Sequence, residues 1–110
     1  MENLTKNEIK AIKIFVANIA DEVGFSDEEF FQNVRTEEIS IPDYIMLEQL
    51  TDEGYTRYKA AGTMATLEKK GWLFDSAPEM RNMKQSNPRW TAHWVICINL
   101  DNIDVLESLY

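Results

Sequence analysis

A polar stripe in the middle of the chain has the residue types and spacing for chemistry. Thr56, Lys59, Thr63, Thr66 and Lys70 recur at helical intervals, with Arg57 beside them. Hydroxyls and lysines along one side of a helix can enter a major groove and meet phosphates or base edges. Arg57 can hold a guanine through two parallel hydrogen bonds. A second basic set, Arg81, Lys84 and Arg89, stands in a polar stretch downstream. Ordinary solvation accounts for the same residues, because Thr/Lys faces and basic loops are common on protein surfaces.

The reactive side chains suit catalysis poorly. His93 is the one histidine and Cys97 the one cysteine. Four residues along a strand separate them by ~13 Å, too far for a nucleophile–base hydrogen bond. Neither has the companions that a four-ligand zinc site needs. The glycines at 24, 54, 62 and 71 are scattered and form no phosphate-binding loop. Asp27, Glu28 and Glu29, with Glu37 and Glu38, lack calcium-loop spacing. Helix capping accounts for the first three. Trp72, Trp90 and Trp94 could stack single-stranded bases, but their strand positions favour a core. These residues argue against an enzyme, a metal site or a bound cofactor.

The elements that must position the stripe can be read in order. "TKNE" at 5–8 is a capping box, followed by Ile9, Ile12, Val16, Ile19 and Val23 at helical spacing and a stop at Gly24. "SDEE" at 26–29 opens a second helix that buries Phe30, Phe31 and Val34. "EEISI" at 37–41 alternates and predicts a short strand. Pro42 can start a helix with Ile45, Met46, Leu47 and Leu50 on its apolar side. "TDEG" at 51–54 is a turn, and a long helix follows from about Tyr55 to Lys70, ended by Gly71. Its buried stripe is Ala60, Ala61, Met64 and Leu67. "WLFD" at 72–75 and "WTAHWVICINL" at 90–100 predict two strands joined by a long polar loop. Asp101 is the expected cap of a last short helix with Ile103, Leu106 and Tyr110.

This order predicts an α+β fold, one domain over residues 1–110. It is a winged helix-turn-helix with a three-stranded antiparallel sheet, an extra N-terminal helix and a short C-terminal helix. "ATLEKKGWL" at 65–73 resembles the stretch that closes the recognition helix of MarR-like and related winged-helix regulators. The resemblance covers roughly residues 37–100. It implies that the helix at 55–70 reads the major groove while the wing, with Arg81, Lys84 and Arg89, reaches the neighbouring minor groove or backbone. It also implies a homodimer formed through the terminal helices. Phe15 on the first helix and Leu106, Leu109 and Tyr110 on the last are candidates for that contact, or else complete the core of one copy.

Charge bears on both readings. The 110 residues carry a net charge of -8. Residues 1–56 hold 4 basic and 13 acidic side chains, a balance of -9, whereas residues 57–89 hold 7 basic and 3 acidic, +4. The expected function is that of a small DNA-binding transcriptional regulator of bacterial, phage or mobile-element type, with double-stranded DNA as partner. The alternative is an acidic protein–protein module, an adaptor or DNA-mimicking inhibitor with a basic protein partner. No apolar run approaches the ~20 residues that span a bilayer. The N-terminal stretch lacks signal-peptide character, and no internal disulfide is possible with one cysteine. A cytoplasmic protein is expected.

Overall fold

A computed structural model describes residues 3–37, 44–75 and 96–110. Helix α1 covers Lys6–Val23. Its N-terminus is closed as the sequence predicts: the Thr5 hydroxyl accepts from Glu8 N–H at 3.1 Å, and the Glu8 carboxylate accepts from Thr5 N–H at 2.8 Å. Gly24 ends it in the left-handed region, φ 74°, where glycine avoids the Cβ clash. Helix α2, Asp27–Thr36, is closed the same way by Ser26 and Glu29. Helix α3, Leu47–Thr51, is short. A turn leads to α4, Arg57–Lys69, whose N-cap is Thr56.

Strands β1, Leu73–Asp75, and β2, Ile96–Ile98, pair antiparallel with Phe74 opposite Cys97. A 3-10 turn at Leu100–Asn102 then leads into α5, Ile103–Ser108. Asn99, not Asp101, caps that turn: its side chain accepts from Asp101 N–H at 3.0 Å.

The buried side chains form one continuous core. Ile12, Phe15, Val16 and Ile19 of α1 meet Phe30 of α2, Leu50 of α3, Met64 and Leu67 of α4, Trp72, Leu73, Ile96 and Ile98 of the sheet region, and Leu106 of α5. Both sides of β2 are covered, since Cys97 is buried as deeply as its neighbours. Among the described residues no helix is long and apolar enough to cross a membrane.

The expected winged helix-turn-helix with a three-stranded sheet is corrected. The molecule is mostly helical, with five α-helices and a two-stranded sheet among the described residues. Glu37, the expected start of a first strand, is instead the C-cap of α2, with φ 56°. Residues 38–43 lie outside the described residues. Tyr44 touches the free edge of β2 through a single bridge to Cys97, and Ile45 N–H donates to Ile96 O at 3.0 Å. The chain then turns into α3 at Leu47. Among the described residues this bridge is the chain's one pairing with β2 besides β1, and α3 starts later than Pro42 suggests.

Candidate nucleic-acid interface

Helix α4 carries most of the candidate residues, and its neighbours decide which of them face outward. Ala60, Met64 and Leu67 are buried, as their spacing predicts. Thr63, expected on the outward stripe, is buried too, at 5 % exposed. Its hydroxyl donates to Lys59 O at 2.8 Å and accepts from Asn7 Nδ2 at 3.0 Å. Asn7 Oδ1 in turn accepts from the Tyr55 hydroxyl at 2.8 Å. Burial raises the Tyr55 pKa, which keeps that phenol a donor.

Lys70 is also engaged within the molecule. Its ammonium donates to Glu8 Oε1 at 2.7 Å and to Asn3 O at 2.8 Å, at the N-terminal end of α1. Burial alone would raise the Glu8 pKa. Hydrogen bonds from Lys70, from Thr5 N–H and from the Thr66 and Thr5 hydroxyls outweigh it and lower the pKa to about 2. The stripe Thr63–Thr66–Lys70 is thus largely a seam between α4 and α1. Thr56 serves as N-cap, its hydroxyl accepting from Lys59 N–H at 3.1 Å. Hydrogen bonding inside the fold engages the side chains of both Thr63 and Lys70, which the residue spacing places on the outward stripe.

The exposed face of α4 is turned from the expected one by roughly a quarter of a helical turn. Tyr58, Gly62, Ala65 and Lys69 run along its middle, and Arg57, Lys59 and Thr66 flank it, all exposed. Tyr58 is 92 % exposed. A Cβ at Gly62 would meet nothing within 4 Å, so no packing inside the molecule explains a glycine there. A groove of about 500 Å³ runs between this helix and the start of α1, bordered by Tyr58, Lys59, Gly62, Thr66 and Lys70 on one side and Asn7 on the other.

Charge pairing sorts the cations. Arg35 bridges Asp104 and Glu107 at 2.8 Å each, and Lys70 bridges Glu8. Lys6, Lys10, Lys13, Arg57, Lys59 and Lys69 have no carboxylate within ion-pair distance among the described residues. Lys10 and Lys59 both reach the Tyr55 ring, with Nζ 5.5 and 5.3 Å from its centroid. The α1 lysines escaped the sequence reading because they sit in the most acidic half of the chain. Their spacing at positions 6, 10 and 13 was the signal that could have found them.

Arg81, Lys84 and Arg89, with Trp90, His93 and Trp94, lie outside the described residues. Trp72 is fully buried and has no face for a base. Phe15 and Leu106 are also fully buried within the single chain, so neither is left for a contact between copies. Among the described residues no three His, Cys, Asp or Glu side chains converge as metal ligands would. Comparison with known proteins finds no matching family model, no matching curated protein and no matching solved structure.

Proposed function

We propose that the protein binds duplex DNA, with α4 lying in the major groove and the turn after α3 presenting its N-terminal end. One observation carries this reading: the exposed face of α4 is flat at its centre and cationic at its ends. Gly62 and Ala65 let the helix backbone approach closely. Arg57, Lys59 and Lys69 are free to meet phosphates or a guanine edge. Tyr58 supplies a phenol for a phosphate or a base edge. The reading fits a regulator better than a mimic of nucleic acid. Glu8 and Glu29 close helix caps, and Asp104 and Glu107 hold Arg35, which breaks up the acids rather than aligning them.

The test is fluorescence anisotropy with labelled duplexes at ~50 mM salt, where phosphate contacts are strongest. Wild type is expected to bind. The double variant Arg57→Ala/Lys59→Glu should lose binding with its melting temperature little changed, because neither side chain is buried. Arg57→Ala alone should cost about 1–3 kcal/mol on a preferred sequence. A wild-type protein that leaves every duplex free at that salt concentration refutes the reading.

A further inference from the structure

Helix α1 carries a second cationic feature. Lys6, Lys10 and Lys13 fall at i, i+4 and i+7, on one side of the helix. Lys6 and Lys10 are exposed, and Lys13 is half-buried with Nζ 5.0 Å from the Tyr110 ring centroid. With Ile9 and Ile14 the three lysines line a shallow groove of about 440 Å³, in which Glu53 is the one acidic side chain among the described lining residues. In a chain with 19 acidic and 11 basic side chains, pairing would be the default. Among the described residues the ammonium groups make no ion pair with a carboxylate, and Lys10 and Lys59 both stand over the Tyr55 ring. A polyanion laid along these lysines would release counterions.

We infer that the α1 lysine stripe is the phosphate-gripping shoulder of the α4 interface. One strand of the duplex held by α4 passes Lys59 and continues along Lys10 and Lys6. The inference rests on the duplex-binding reading and extends it to an element outside α3 and α4. Tyr55, 7 % exposed, lies beneath the join between the two helices, and its ring meets a lysine from each, Lys10 and Lys59. Lysines four residues apart stand ~6 Å apart along the axis, close to the step between neighbouring phosphates of one strand. An anionic membrane fits less well. The apolar side of α1, with Ile12, Phe15 and Ile19, is sealed in the core and has nothing to insert.

The experiment compares wild type with Lys6→Gln/Lys10→Gln, leaving Lys13 because its stem packs near Tyr110. Affinity for one duplex is followed from ~50 to ~200 mM salt, with thermal melting as the control for folding. Two lost phosphate contacts should make the log–log salt slope less negative by about 1.8. Across that range wild type would then lose about tenfold more affinity than the variant. The loss should be the same for any duplex sequence, since phosphates carry no base information. A wild type that binds with a slope the variant leaves unchanged overturns this inference alone. A wild type that binds no duplex overturns the reading of α4 and this inference with it. Polyglutamate competing as well as duplex at equal charge would assign the stripe to an acidic protein and overturn it as well.

Discussion

Glu8 shows how one side chain can serve two structures at once. It closes the cap of α1 and, through Lys70, ties the end of α4 to the start of α1. Its pKa falls from 4.5 to about 2 on folding. A lowered carboxylate pKa contributes stability that is complete above about pH 4.5 and is lost as pH falls through the folded value. The contribution is on the order of 3 kcal/mol. Acid titration of stability should therefore show a decline between about pH 4.5 and 2, and Glu8→Gln should flatten it while lowering stability at pH 7. An unchanged pH profile in the variant would remove Glu8 from that role. Gly62 supports a second prediction. In mid-helix a glycine costs about 0.5–1 kcal/mol relative to alanine. With open space around its Cβ position, Gly62→Ala should raise the urea midpoint accordingly. Under the DNA reading it should also weaken duplex binding, because the added methyl stands between backbone and groove.

At the scale of elements, the local signals were sufficient at the starts of α1 and α2 and at the ends of α1 and α4, but not at the start of α3 or before α5. "TKNE" and "SDEE" make reciprocal hydrogen bonds, and Gly24 and Gly71 take up positive φ. These features depend on residues a few positions apart, so the sequence displays them whole. Helix α5 is different. It is only six residues long and relies on Leu106 in the core and on Arg35 of α2 reaching Asp104 and Glu107. Those carboxylates raise the Arg35 pKa further. The three side chains are solvent-exposed, so screening limits what they contribute. Arg35→Ala should lower the melting temperature slightly at low salt, and the difference should vanish near 1 M salt. A difference that persists there would point to packing of the arginine stem instead.

At the scale of the molecule, charge is laid out along α1. The helix has 18 residues, ~27 Å at 1.5 Å per residue. Its lysines occupy the first half; Asp21 and Glu22 stand at its end, followed by Asp27 and Glu28 on α2. The two ends are separated by several Debye lengths at physiological salt, about 8 Å each. A chain with a net charge of -8 can thus keep a lysine-rich groove in which Glu53 is the one acid among the described lining residues. Counting charges by segment hid this layout, because the lysines at 6, 10 and 13 share their segment with 13 acids. Folding brings Lys10 against the ring of Tyr55, 45 positions away in the chain.

The amino-acid sequence by itself determined the starts of α1 and α2, the stops at Gly24 and Gly71, the turn before α4 and the identity of most core residues. Capping, left-handed glycine and apolar periodicity all act over a few residues. The tertiary structure alone decided which side of α4 faces outward. Alanine, glycine and threonine surround most of that helix, so its pattern selects no buried side sharply. Asn7, Glu8 and Tyr55 made the choice by hydrogen bonding to Thr63 and Lys70 or to one another. Of "EEISI", Glu37 is the C-cap of α2 and the rest lies outside the described residues. Contacts between positions far apart in the chain settle the orientation of α4, and no window of neighbouring residues contains them.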